Sequence, residues 1–233
     1  AAVGGTNLAG SVITTDTDID LSAATLTADS TVKSGSGAID FTTATDGVSS
    51  FTLTVGDGSQ TGLVTFSDNL TVNGLGTGSS AYNVILQGTA SVVDTDTTFL
   101  NTGTVTLGNG SGDSTTFTGG LDTTAASGTN LAGSVITTDA QMDLSAATLT
   151  ADATLKSGNA AINLASATDG GSSFSLDLGE VTNQTGAVTI AGNLTVNDLD
   201  TFNSAYAVVL QGSVNVVDTD TTFLNTGTVT LGN

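Results

Sequence analysis

The chain has 233 residues and a net charge of −20, with Lys33 and Lys156 its only basic side chains and no His, Cys, Pro or Trp. That balance excludes ordinary nucleic-acid binding, which needs clustered Lys and Arg, and docking on anionic lipid. It also leaves catalysis little raw material: no His as general base, no Cys nucleophile, and no Arg to clamp a carboxylate or phosphate.

Val, Ile, Leu and Thr are plentiful and helix formers scarce, which predicts an all-β fold rather than acidic disorder. In chain order, short alternating runs appear at 11–15 (SVITT), 25–29 (TLTAD), 38–41 (AIDF) and 51–55 (FTLTV). They continue at 63–66 (LVTF), 70–74 (LTVNG), 83–88 (NVILQG) and 104–108 (TVTLG). Gly, Asn, Asp or Ser bounds each run, the pattern of strands separated by turns. No apolar run approaches the roughly 20 residues that span a bilayer.

The second half repeats the first. Residues 6–35 read TNLAGSVITTDTDIDLSAATLTADSTVKSG, and residues 129–158 read TNLAGSVITTDAQMDLSAATLTADATLKSG, an offset of 123. From Ala81 and Ala205 onwards, AYNVILQG and AYAVVLQG match at an offset of 124. One residue is therefore gained where GDGSQTG became GEVTNQTG. An insertion inside a strand flips its side chains to the opposite face, so this one belongs in a loop. The array is read as continuous over 1–233, with a first long repeat at 6–128 and a second, truncated, at 129–233, and no linker.

Positions that stay apolar across the copies define an expected core. These are Phe41, Phe51, Phe66, Leu86 and Phe99, with counterparts Leu164, Phe174, Ile190, Leu210 and Phe223. Two architectures suit strands that start roughly ten residues apart. One is a right-handed parallel β-helix, a β-solenoid with turns of about 20 residues and about six turns per long repeat. The other is a tandem of immunoglobulin-like β-sandwiches. Absence of Pro and Trp, and small residues suited to stacked ladders, favour the solenoid.

The phrases SGSGAIDF, FTLTVGDG, GLVTF and LTVNG resemble the strand repeats of large bacterial exoproteins of the filamentous-haemagglutinin type. The resemblance implies a right-handed β-helix, secretion, and an adhesive or fibrous role. The long period of about 123 residues departs from that family's short repeats. Localisation is accordingly expected to be extracellular or at a cell surface, in a bacterium.

Candidate sites are few. Asp94 and Asp96, repeated as Asp218 and Asp220, are the best paired acids, and weak candidates for calcium. Their bland reading, a solvated turn or strand face, is preferred, and no obligatory cofactor or metal is expected. Asp16, Asp18 and Asp20 alternate, so on a strand they would face one way. Their counterparts are Asp139, Gln141 and Asp143, so the middle acid is not required. Thr102, Thr104 and Thr106 form a Thr-x-Thr array, read as ordinary strand surface. Asn69, Asn109, Asn183 and Asn193 begin glycosylation sequons.

The expected function is non-enzymatic and structural: a segment of a long surface fibre, filament or adhesin stalk. The alternative, a glycan- or receptor-binding adhesin module, would need exposed aromatics, for which Tyr82, Tyr206 and Phe202 are the candidates. With no initiator Met or leader, and with both ends inside a repeat, the chain reads as an excised or mature segment. The expected partners are further copies of the repeat end to end, in the same chain or a neighbouring subunit, with no nucleic acid and no membrane insertion.

Overall fold

Alternating burial is the local rule along the chain, and its interruptions mark the corners. In the strand Ile19–Lys33, Ile19 and Leu21 point inward, then Ala24 and Leu26, then Ser30 and Val32. Each slip in the alternation, at Ser22–Ala23 and at Thr27–Asp29, swings the chain onto a new side. A computed structural model describes residues 5–232, and among them there are twenty-two strands and no helix. Every registered pairing is parallel, and the chain forms a β-solenoid of about 11 turns. At about 4.8 Å per turn the rod is roughly 50 Å long. The tandem-sandwich alternative falls, because sandwiches pair their strands antiparallel.

Three columns of strands make the three sides. The first stacks Ile19, Ile39, Val64, Val84, Val105, Thr129, Ala147, Ala167, Leu194 and Asn215. The second runs from Thr6 through Ala24, Ala44 and Leu70. It continues over Ser91 and Thr115, then Val135, Leu155, Leu178 and Thr201. The third stacks Ser30, Leu53 and Leu75. It then passes to Thr97, where the Leu100 N–H donates to Thr77 Oγ1 at 2.7 Å, and on through Leu121, Met142, Ile162, Val188, Val208 and Val229.

Turns are unequal in length. Thr6 pairs with Ala24, eighteen residues on, while Ala167 pairs with Leu194, twenty-seven on. The surplus is spent at the corners. Consequently the long repeat does not close on a whole number of turns. Between Ile19 and its counterpart Met142 the chain makes six passes along the first side, six along the second and five along the third. Seventeen sides at three to a turn is five and two-thirds turns, in line with the expected figure of about six but not a whole number. Met142 therefore stands in the third column, although Ile19 stands in the first. The strand Gly128–Thr137 runs through the junction between the two long repeats.

The interior is apolar and tightly stacked. Phe41 and Phe66 lie in consecutive turns with ring centroids 4.8 Å apart and planes 6° from parallel. Their counterparts Leu164 and Ile190 are likewise in register, so the pair has changed together. Of the ten expected core residues, Phe41, Phe66, Leu86, Phe99, Leu164, Ile190 and Leu210 are buried. Phe51, Phe174 and Phe223 are only partly buried and pack against the core from its margin. Phe51 and Phe174 each precede a strand and sit at a corner, and Phe223 lies in the last turn described.

The inserted residue is where the offset requires. Gly56 and Gln60 bracket three residues, whereas Gly179 and Gln184 bracket four. Both stretches are corner loops outside the strands, and Ser59, Val181 and Thr182 are exposed. Turns come closest beside these corners. A side-chain carbon at Gly62 would collide with the Gly37 carbonyl one turn below, and one at Gly186 with the Ala160 carbonyl.

Candidate functional site

Polar groups concentrate at the corners, and most of them hold one turn to the next. Asp29 Oδ1 accepts the Thr52 N–H at 2.8 Å, and its counterpart Asp152 accepts the Ser175 N–H at 3.0 Å. Asn83 Oδ1 takes the Thr104 N–H at 2.8 Å, and Asn69 Oδ1 the Ala90 N–H at 2.8 Å. These bonds satisfy backbone donors that a turning strand cannot pair in its ladder. Asn193 does the same for the Val214 N–H, so Asn69 and Asn193, two of the sequon asparagines, carry structural contacts.

The acid triplet Asp16, Asp18 and Asp20 does not share a face. Asp16 and Asp18 lie in a turn, with Asp16 at φ 58°, and only Asp20 lies in a strand. Asp16 Oδ1 accepts the Ser36 N–H at 3.0 Å and Asp18 Oδ1 the Ala38 N–H at 2.8 Å. The expected alternation fails because the strand ends at Ile13. Asp94 and Asp96 are exposed at a corner between the strands Ser91–Val93 and Thr97–Thr98. Asp218 and Asp220 are exposed on the strand Asn215–Thr222, where Asp220 is in register with Asp198. Among the described residues no three His, Cys, Asp or Glu side chains converge to hold a metal ion.

The aromatic candidates for a binding surface are placed inside. Tyr82 is 2% exposed and Tyr206 1%, and Phe202 is half-buried. The Tyr82 hydroxyl donates to the Val55 carbonyl at 2.8 Å and accepts the Gly78 N–H at 2.7 Å. Tyr206 repeats this with the Leu178 carbonyl at 2.5 Å and the Phe202 N–H at 2.9 Å. Burial pushes the Tyr82 hydroxyl up to about 12, and that of Tyr206 in the same direction. The Thr array is not a flat Thr face either. Thr102 lies in a bend, and Thr106 stacks between Ile85 and Asn130, whose Nδ2 donates to Thr106 Oγ1 at 3.0 Å.

Two buried glutamines went unnoticed in the sequence. Gln60, fully buried, accepts the Ser34 N–H on Oε1 at 3.0 Å. Its Nε2 donates to Ser34 Oγ at 3.2 Å and to the Gly37 and Gly62 carbonyls at 3.1 and 3.0 Å. Gln184 makes the same set with Ser157, Ala160 and Gly186. The available signal was a polar residue that keeps its identity across both copies inside an otherwise variable corner.

The copies differ electrostatically. In the first, the Lys33 ammonium lies 2.8 Å from Asp57 and holds that carboxyl well below the usual carboxylate range, helped by hydrogen bonds from Ser59. In the second, Asp177, Asp198 and Asp200 replace Thr54, Gly74 and Gly76. Asp177 stacks in register with Asp200. Burial, and then the charges of Asp200, Asp198 and Asp152, raise the Asp177 carboxyl, against a hydrogen bond from Thr154. A carboxyl raised by folding binds its proton more tightly when folded, so its stabilising contribution grows as pH falls towards the unfolded value. Asp177→Asn should therefore raise the melting temperature by about 1–3 °C at pH 7, with the gain fading as pH falls through the raised carboxyl value and gone by the unfolded value near pH ~4, as read by calorimetry.

Comparison with family models, curated proteins and solved structures returns no match. A concavity of about 560 Å³ opens at the end of the rod and is lined by Leu199, Leu210, Val217, Phe223 and Leu231 among others. It is the uncovered last turn rather than a pocket set into a side. Val229 is 36% exposed and Leu231 65%, whereas their counterparts Val105 and Leu107 are fully buried. What buries Val105 and Leu107 is the next turn, through the pairing of Thr104–Leu107 with Gly128–Leu131.

Proposed function

We propose that the chain is a non-enzymatic structural protein, a stretch of a long extracellular fibre or adhesin stalk at a bacterial surface. The observation that carries this is the repeat itself: the phrases of 6–35 recur at 129–158, and both copies stack in one continuous parallel solenoid whose strand Gly128–Thr137 runs through their junction. Its partners on this reading are further copies of the repeat, in the chain itself or in a neighbouring subunit. The corner bonds between turns support a rod that works by length and stiffness. The likeness to filamentous-haemagglutinin-type exoproteins points the same way. A glycan- or receptor-binding role loses support, since Tyr82 and Tyr206 are interior.

The test is immunogold labelling of intact source cells with antibody to this chain. Gold in rows along filaments outside the cell is the expected result. Labelling confined to the cell interior would sink the proposal.

A further inference from the structure

The phase of the long repeat has a consequence for what the rod shows to its surroundings. On the second side, Thr25, Thr45 and Thr71 stack outward in register, preceded by Asn7 and followed by Val92. The same sequence of residues recurs in the second copy as Asn130, Thr148, Thr168, Thr195 and Val216. That ladder, however, lies on the first side, because Thr129 and Ala147 continue the column of Ile19. The variable corner moves likewise. In the first copy it joins the third side at Val55 to the first at Val64; in the second it joins the second side at Leu178 to the third at Val188.

We infer that successive long repeats are set a third of a turn apart about the rod axis, so that an array presents one set of surface groups on its three sides in rotation. This rests on the reading of the chain as part of a longer array. Five and two-thirds turns at about 4.8 Å each give an axial step of about 27 Å per repeat. Seventeen turns, or three repeats, restore the original side after about 82 Å. The lateral surface is thus a threefold screw and has no single functional face. A partner that recognises the Thr ladder or the variable corner meets its next site about 27 Å along and one side round. Such a surface fits a partner that decorates the rod on all sides, or neighbouring rods that approach from three directions. It does not fit a partner that lies flat along one face and reads repeat after repeat.

The register explains why the geometry is insensitive to the inserted residue. The loop from Gly179 to Gln184 absorbs it at a corner, and Val188 still follows Ile162 in the third column as Val64 follows Ile39 in the first. The number of sides per repeat, seventeen, is therefore conserved where the number of residues is not.

The experiment places one short epitope at both variable corners of the full chain, beside Ser59 and beside Thr182, and images the chain with two Fab fragments bound. The Fabs should leave the rod about 27 Å apart along its axis and point about a third of a turn apart. Two Fabs projecting from one edge would overturn the inference while leaving the fibre reading intact. As a check free of insertions, Ser59→Cys and Thr182→Cys carry nitroxide labels at the same exposed corners. Their separation should exceed the axial step; a separation equal to the axial step alone would overturn the inference equally. Failure of the immunogold experiment, by contrast, removes the fibre reading and leaves the rotation of the two copies to stand or fall on these measurements.

Discussion

Phe41→Ala should destabilise the chain by about 3–5 kcal/mol, the cost of emptying a large aromatic site in a closed core. Phe41 is fully buried and its ring lies against Phe66 at 4.8 Å, so truncation removes the stacking partner as well as the buried area. Interiors pack at crystal-like density, and strands locked into neighbouring turns leave little room for collapse into the gap. The informative companion is the exchange Phe41→Leu with Phe66→Ile, which installs the side chains the second copy uses at Leu164 and Ile190. That double variant should cost less than the sum of its two single variants, because two flat rings or two branched chains fill the layer and a mixture does not. Urea unfolding of the four chains gives the coupling directly. Strict additivity would show that the two positions are independent, and a cost under 1 kcal/mol for Phe41→Ala would show that the layer is not the packed core described.

Gln60→Leu should destabilise by about 3 kcal/mol or more, a large effect for a substitution that adds apolar character to a buried site. The leucine can satisfy none of the groups that Gln60 holds: the Ser34 N–H, the Ser34 hydroxyl and the Gly37 and Gly62 carbonyls. Each buried group left without a partner costs on the order of 1–3 kcal/mol. Ser34 keeps one bond, from its hydroxyl to the Gly37 carbonyl, so that carbonyl is not wholly stranded. Gln60→Glu should also destabilise, because a carboxylate cannot donate to two carbonyls. Ser59→Ala, on the exposed part of the same corner, should stay within about 0.5 kcal/mol. Equal stability of the Gln60→Leu and Ser59→Ala chains would mean that the corner network does not hold the turns together.

Much of this molecule was legible in its sequence because it is written twice. The swaps Phe41 to Leu164 and Phe66 to Ile190 mark the core without any other information, and the change of offset from 123 to 124 locates a loop. Each alternating run overlaps a strand, but other short strands carry no such run, among them Ser91–Val93, Thr97–Thr98, Ser114–Phe117 and Leu121–Asp122. These segments are short and rich in Ser and Thr, and a buried Thr such as Thr97 or Thr115 carries no hydropathy signal. Tyr82 and Tyr206 were misplaced for a related reason. Their rings suit an interior, but their hydroxyls suggest a surface, and nothing local reveals that the Val55 and Leu178 carbonyls wait there as acceptors. The acids of the 16–20 run were misjudged because alternation in a turn looks like alternation in a strand. The phase between turn and repeat was the least accessible feature. It depends on where each corner spends its extra residues, from eighteen to twenty-seven per turn, and corner lengths leave no periodic trace.

The corner that holds three residues in one copy and four in the other has a practical meaning for how such a protein diversifies. Gly56 and Gln60, or Gly179 and Gln184, act as fixed posts; between them Asp57 reaches Lys33 and, through its carbonyl, the Ser80 hydroxyl, while Gly58, Ser59, Val181, Thr182 and Asn183 are exposed. Natural drift has already changed both the length and the chemistry there, from Asp-Gly-Ser to Glu-Val-Thr-Asn. New recognition loops can thus be grafted between the posts one repeat at a time, with the rest of the scaffold untouched. Each graft would inherit a defined height and bearing on the scaffold, so a gene that duplicates this unit acquires an ordered display of independent variants in the same step.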